Sequence, residues 1–356
     1  MDADKDFSRN VWCLLGLPFD AIDLNQSMAE ILSAINDNRS CFLSTPNLNF
    51  LCASQTEAAF RESVINSDLS IADGFPIVVV AKLLGIPLPE RVAGSDLIDH
   101  LYRHNTDKPV KVFFFGGAPG VGELACKAIN QQSAGLQAVG YFAPGFGSIE
   151  EMGSPDIIAN INQHQADFLI VALGAQKGQA WIENNKDKIN APVISHLGAV
   201  INFFAGTVAR APTLAQRFGL EWLWRIYQEP ALWRRYYNDG LKFMKLFICN
   251  VLPYWYWLTF KRGKINEQPL SIIQIQKSNK VNQLIFSGSC TIQNYQELTS
   301  ALKKAASVRC NTVIDLTKVT VIDSAFLGLC LVLYKHLKAS GCTLLLTNPN
   351  NDVKRI

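Results

Sequence analysis

Val110–Ile129, VKVFFFGGAPGVGELACKAI, is the stretch that decides the fold. A short apolar run rich in Val and Phe, a glycine-rich turn and a longer mixed segment read as buried strand, turn and helix. The turn can present backbone N–H groups and a helix N-terminus to a phosphate, and glycine there serves tight strand–helix packing equally well. The same layout recurs on both sides. Upstream, CFLSTPNLNFL (41–51) is a strand running into small polar groups, and LSIADGFPIVVVAKLLG (69–85) is a short strand that meets Asp73 just before an apolar helix. Downstream, ADFLIVALGAQKGQAWI (166–182) is a buried strand whose exit carries Gly174, Gln176 and Lys177, and PVISHLGAVINFFAG (192–206) is another. Repeated strand–helix units predict an α/β fold built on a Rossmann-like, mostly parallel sheet flanked by helices. VWCLLGLPFD (11–20) is expected as one short opening strand.

In such a sheet ligands sit at the carboxyl ends of strands. Thr45 and Asn47 therefore become substrate-binding candidates, although Asn47 equally suits a helix cap. Asp73 is a carboxylate at a strand end beside a helix N-terminus, while an Asp-Gly pair is also a common turn. Asp96 reads as a helix cap or an acid of a first helical turn. His196 is expected to be a satisfied strand-end histidine, with no second ligand at metal spacing.

The chain has 356 residues, enough for two domains, and 49% of them are hydrophobic, which excludes disorder. Net charge is only +3, yet Arg210–Lys264 holds ten Lys and Arg against three acids, a local balance of +7. Such concentration suits anionic lipid or phosphate. Nine cysteines without a CxxC pair, and an acidic start, predict reduced thiols and no signal peptide. The longest apolar run, Leu246–Phe260, falls short of the roughly 20 residues that span a bilayer and carries four consecutive aromatics, Tyr254–Trp257. It is expected to lie on a membrane surface.

Arginines and tryptophans interleave from Gly206 to Tyr237, GTVARAPTLAQRFGLEWLWRIYQEPALWRRY. Leu220, Leu223, Trp224 and Tyr227 recur at helical spacing as one apolar stripe, with Arg217 and Arg225 off it. A stripe of this kind serves a packed helix, a membrane-surface helix or a cationic wall over a phosphate-bearing site. The wording AGTVARAP followed by GLEWLWRIYQEPALWRRY resembles the C-terminal signature of the WecG/TagA/CpsF glycosyltransferases, glycosyltransferase family 26, which extend lipid-linked sugars in cell-surface polymer synthesis. The resemblance implies that Asp73 is the general base, that Arg91 in PERVAGSDLI is a site residue, and that Gln176 recognises substrate. Asn202 stands where many relatives would show Asp.

The reaction so implied is inverting transfer of a sugar of the N-acetylmannosamine type from a UDP-sugar to a polyprenyl-diphosphate-linked sugar. Asp73 takes the acceptor proton; Arg91, Arg210, Arg217 and Arg225 neutralise the diphosphate; Thr45, Asn47 and Gln176 orient substrate. No DxD motif flanked by apolar residues is present, so neither metal nor cofactor is expected. The expected location is cytoplasmic, peripheral at the inner face of the membrane, with room for a homo-oligomer. The rival readings are a nucleic-acid binder using the same Arg/Trp stretch and a non-catalytic regulator. No RNP-like or helix-turn-helix pattern supports the first, and nucleic acid is not an expected partner.

A second pattern begins at residue 270. Alternating LSIIQI and NQLIFSG, an amphipathic YQELTSALKKAA, then TVIDLTKVTVIDSAFLGLCLVL resemble a STAS domain, the fold of anti-sigma-factor antagonists. The resemblance implies a protein-docking module, with Ser324 at the position of a regulatory phosphoserine, which as plain sequence is an N-cap serine, and Phe326 on the partner-binding surface. The expected division is a catalytic domain over 1–205, a basic aromatic helical appendage over 206–262 that completes the active site and touches the membrane, a linker over 263–269 and the STAS-like domain over 270–356.

Overall fold

A computed structural model describes residues 3–104, 108–217, 219–262, 268–278, 281–350 and 353. The chain forms two units: Ile22–Val79 with Leu88–Phe243, and Met1–Ala21 with Val80–Pro87 and Met244–Ile356. The expected linker lies largely outside the described residues.

After a one-turn helix, Ala3–Asp6, come two short strands, β1 (Val11–Leu14) and β2 (Leu17–Asp20), paired antiparallel as a hairpin. The larger sheet follows: β3 (Cys41–Ser44), β4 (Leu69–Ser70), β5 (Val110–Gly116), β6 (Leu136–Phe142), β7 (Phe168–Ala172) and β8 (Val193–His196). All pairings are parallel, in the order β4-β3-β8-β7-β5-β6. Alternate side chains fill two cores. Leu43, Val112, Phe114 and Ile170 pack with Ile31, Leu97 and Ile129 on one face, and Phe42, Phe113, Phe115, Leu169 and Ile194 pack with Trp181 and Ile182 on the other. Burial on both faces is why these strands read as apolar runs rather than alternating ones. The connection from β5 runs outward to β6, whereas that from β7 runs the opposite way to β8. The crevice between the carboxyl ends of β5 and β7 is therefore the topological switch point, where open α/β sheets hold ligands.

The smaller unit carries a four-stranded sheet, order β12-β11-β10-β9, from β9 (Ser271–Ser278), β10 (Val281–Cys290), β11 (Asn311–Ile322) and β12 (Leu344–Thr347). Helices Tyr295–Val308 and Ser324–Ala339 cover it through Leu298, Leu302, Leu329, Leu333 and Leu337. Phe326 is fully buried, edge-on to Phe286 at 5.7 Å. It is a core residue, not the surface residue expected, because the first turn of its helix faces the sheet.

The opening hairpin belongs to this second unit. Phe7 and Val11 join its core, and Gly328 accommodates the Val11 carbonyl, which would lie 2.1 Å from a Cβ at that position. The Tyr295 hydroxyl donates to the Arg9 carbonyl, and Asp6 is buried between Lys335, His336 and Arg9. Residues 11–20 are thus neither one strand nor part of the larger sheet.

Ser324 is 6% exposed and hydrogen-bonded to the Tyr254 hydroxyl, whose pKa burial pushes up to about 12. The cap of its helix is Asp323, which accepts from Phe326 N at 3.0 Å, so Ser324 is the first helical residue, not the N-cap. A buried, hydrogen-bonded hydroxyl offers no access to a kinase, and the phosphosite expectation gives way to this packing role.

Candidate active site

Asp73 leaves β4 and directly precedes the helix Phe75–Leu83, its N–H donating to the Pro46 carbonyl just after β3. The Gly94 N–H donates to its carboxylate, and Arg91, Glu221 and Arg225 surround it. Burial is the largest influence and pushes the carboxyl up to about 6; Glu221 acts in the same direction, while Arg91 and Arg225 oppose it. A carboxylate of this kind is ionised near neutrality and still basic enough to accept a proton, the balance that general-base catalysis requires.

The expected residues divide in three. Thr45 is buried immediately after β3, one strand from Asp73, and Asn47 caps the helix Leu48–Ser54, its Oδ1 accepting from Asn49 N and Phe50 N. The capping role weighed for Asn47 is thus present and occupies that oxygen. Arg91 ion-pairs with Glu221 at 2.6 Å and with Asp96 at 2.7 Å; Asp96 in turn meets Arg210, which also reaches Asp99 at 3.1 Å. Asp96 lies in the first turn of the helix Gly94–Arg103, but its carboxylate bridges two arginines and caps nothing. Arg225 is close enough to influence Asp73 and stands 5.9 Å over the Phe203 ring. Gln176 is exposed and donates to Glu57 at the start of the helix Ala58–Ile65, which ties it to that helix rather than to Asp73. The side chain of Arg217 lies outside the described residues.

Two of the arginines therefore hold structure together as the site stands. Glu221 and Arg210 come from the basic aromatic stretch, Arg91 and Asp96 from the α/β domain, so these ion pairs fasten that stretch beside Asp73. A further tie joins Asn49 Nδ2 to Asp239 at 3.0 Å, and Asp239 is buried. Sequence reasoning missed Glu221, Asp99 and Asp239 as partners. The three are the acids of a basic region or of the helix facing it, and that pairing of opposite charge was the available signal. A cavity of about 520 Å³ adjoins the network, lined by Asp96, Asp99, His100, His104 and Arg210 among others; it does not include Asp73.

The rest of the stretch is open to solvent. Helix Glu221–Gln228 buries no residue: Leu223 is 46% and Tyr227 79% exposed, and Trp222, Trp233, Tyr237 and Leu241 are exposed too. The apolar stripe is not a packed core face. Within the smaller unit the aromatics of the helix Leu252–Phe260 divide: Tyr254 and Trp257 are buried and stacked at 5.9 Å, and Tyr256 and Phe260 are exposed, as is Ile248. Among the described residues no helix is long and apolar enough to cross a membrane, and no cluster of three or more His, Cys, Asp or Glu could hold a metal.

At the switch point the β5 exit turns through Gly116 and Gly117, at φ +108° and +84°, and a Cβ on Gly116 would come within 2.5 Å of the Ala172 carbonyl of β7. Only glycine fits such a conformation at that distance. The turn leads into the helix Val121–Gln132, so a helix N-terminus sits at the crevice, while the Gly117 N–H is already donated to the Ala172 carbonyl at 3.0 Å.

Comparison with known proteins agrees with this architecture. Residues 273–356 match the Mlab, STAS domain family. An N-acetylglucosaminyldiphosphoundecaprenol N-acetyl-beta-D-mannosaminyltransferase of Bacillus spizizenii is 29% identical over 201 residues, 56% of this chain and 76% of the relative. A protein of the same name from Staphylococcus aureus strain MRSA252 is 26% identical over 214 residues, 60% of this chain and 82% of its own. Residues 12–255, well over half of the sequence, match the glycosyl transferase WecG/TagA/CpsF family, and the chain belongs to that family.

Proposed function

We propose that the protein transfers an N-acetylmannosamine-type sugar from a UDP-sugar to a sugar carried on a polyprenyl diphosphate, with inversion and without a metal ion. The observation that carries the reading is Asp73, raised to about 6 among arginines at the carboxyl edge of a parallel sheet. Both relatives above are named as enzymes acting on a diphosphoundecaprenol-linked sugar, which supports the same class of acceptor here.

In a single displacement the acceptor hydroxyl oxygen attacks the anomeric carbon, Asp73 takes the hydroxyl proton, and the bond from that carbon to the diphosphate oxygen breaks. The leaving diphosphate carries away the electron pair. Its charge would meet Arg225, with Arg91 and Arg210 holding the appendage in place and contributing longer-range charge, and the nucleoside end would extend toward the β5 turn. Thr45 and the remaining amide capacity of Asn47 would orient substrate. Gln176, bonded to Glu57, would do so only after changing partner. The exposed Trp222, Trp233 and Tyr237, beside Arg234 and Arg235, would rest on the membrane that holds the lipid acceptor. The STAS-like module would dock a protein partner through a face other than that covered by β1 and Tyr254.

The test is transfer from a panel of radiolabelled UDP-sugars into polyprenyl-diphosphate lipid bearing its first sugar, with and without EDTA. Label that survives EDTA supports the whole reading. Loss of label with EDTA overturns metal independence. No label from any donor leaves the regulatory reading in its place.

A further inference from the structure

A carboxylate serves as a base only while it is not itself bound to a cation. Arg91 and Arg225 both stand close enough to Asp73 to make it less basic, and Arg91 has the larger effect. A guanidinium in contact with an aspartate pairs with it through two parallel hydrogen bonds and pulls it well below the usual carboxylate range. Such a pair at Asp73 would leave a poor proton acceptor.

The fold prevents that pair by giving both tips of Arg91 to other acids. Its Nη1 meets Glu221 Oε1 at 2.6 Å and its Nη2 donates to Asp96 Oδ2 at 2.7 Å. Among the described residues no ion pair joins Arg91 to Asp73. Two acids on separate nitrogens fix both the plane and the direction of a guanidinium. The acids are not equivalent. Asp96 divides its carboxylate between Arg91 and Arg210. Glu221 pairs with Arg91, lies close enough to Arg210 to favour its charged form, and makes Asp73 more basic through like charge. Glu221 is the first residue of the helix Glu221–Gln228, where any acid is favourable. Its place between Arg91 and Asp73 is what an ordinary first-turn acid does not need. Without it the Nη1 end of Arg91 is released beside Asp73, the carboxylate whose charge it already feels.

We infer, resting on the glycosyltransferase reading, that Glu221 is a positioning residue for the transfer: it holds Arg91 off Asp73, so that the base stays free to take the acceptor proton. Arg91 then remains near the reacting groups as a fixed positive charge without quenching the base. The groups that face Asp73 are Arg91, Glu221, Arg225 and the Gly94 N–H. Of these, Glu221 is the one that keeps the carboxylate basic. Neutralising it removes that support and frees Arg91, and both changes act in the same direction.

The experiment measures kcat/KM against pH for wild type, Glu221→Gln and the double variant Arg91→Gln/Glu221→Gln, by donor-to-lipid transfer, with melting temperature as a check on folding. In wild type the acidic limb should fall near pH 6. In Glu221→Gln it should move down by about half a pH unit, the effect of one elementary charge several ångströms away in largely aqueous surroundings. In the double variant it should return to the wild-type position or above, because Arg91 lowers Asp73 more than Glu221 raises it. Lower activity with an unmoved limb overturns the proposal and leaves Glu221 a structural tie. A limb that stays down once Arg91 is also gone overturns it too, since Glu221 would then act without Arg91. If Glu221→Gln does not fold, Glu221→Ser carries the same expectations. A wild-type protein inactive with every UDP-sugar fails the glycosyltransferase reading instead, and urea denaturation at pH 8 then decides. Asp73→Asn should raise the midpoint less in a Glu221→Gln background than in wild type, and an equal rise overturns the role of Glu221.

Discussion

Replacing Asp73 by Asn should move activity and stability in opposite directions. The carboxyl rises from the usual 3.8 to about 6, chiefly through burial. At about 1.4 kcal/mol per pH unit this corresponds to roughly 3 kcal/mol by which the fold disfavours the ionised form. Asp73 keeps some contact with solvent, which discounts the figure to about 1.5–3 kcal/mol. The sign follows from the raised folded value. Stability tied to the protonated group is complete below 3.8, falls as pH rises through 6, and is absent above it. Asn carries no such penalty at any pH and can still accept the Gly94 N–H. The variant should therefore match wild type near pH 4 and exceed it by about 1.5–3 kcal/mol at pH 8. Turnover should fall by a factor of at least about a hundred, the usual contribution of a general base, while UDP affinity stays within a few fold. The assay is urea denaturation at pH 4 and pH 8 followed by donor-to-lipid transfer. Transfer at wild-type rates would remove the base assignment. Equal stabilisation at both pH values would refute the buried-charge account.

Gly178→Ala should cost about 1–3 kcal/mol in spite of alanine's better helix propensity, because the new Cβ meets His196 Cδ2 at 2.3 Å. Adding His196→Ala should recover most of that loss in a double-mutant cycle, and a coupling near zero would deny the packing. In the smaller unit burial would raise Asp6, but hydrogen bonding from His336 with the charges of Lys335 and Arg9 prevails and holds it well below the usual carboxylate range. Stability from this cluster is present above about pH 4 and lost as pH falls further. Asp6→Ala should cost about 3–5 kcal/mol at pH 7, as for one partner removed from a buried pair, with chemical denaturation followed by fluorescence as the check. Ser324→Asp should lower the melting temperature by several degrees, since it places a charge beside Asp323 in a buried site; a melting temperature equal to wild type would restore the serine as an accessible switch.

The strands of both sheets were legible because burial on two faces, or on one, leaves a pattern within a few residues: the apolar run Val110–Phe115 or the alternation of Val281–Ser287. The place of Asp73 between a strand and a helix was legible from the patterns on either side of it. Longer-range partners left no such trace. Glu221 looks like any acid in a first helical turn, and only folding brings Arg91 to it. Asn47 could not be divided between cap and ligand until its Oδ1 was seen to accept two backbone N–H groups. His196, expected to be satisfied, leaves its Nε2 without a partner among the described residues, because sequence does not show whether a ring nitrogen finds one. Phe326 was misplaced because its neighbours set which side of the first helical turn faces the sheet. Residues 11–20 were read as one strand of the catalytic domain because the partners of Phe7 and Val11 lie more than 270 residues away.

That separation shapes the order of events during synthesis. Phe7 and Val11 leave the ribosome more than 310 residues ahead of the helix Ser324–Ala339 that receives them. At roughly 5–20 residues per second the interval is on the order of 15–60 s, and a two-stranded hairpin is marginal in water without something to cover it. Throughout that time the apolar side of this segment has no native surface to rest on. The larger sheet is complete at residue 196, so it can fold while the first segment waits. This chain should therefore depend on a chaperone that shields its opening residues, and truncation before residue 324 should expose them permanently as a site for aggregation or proteolysis.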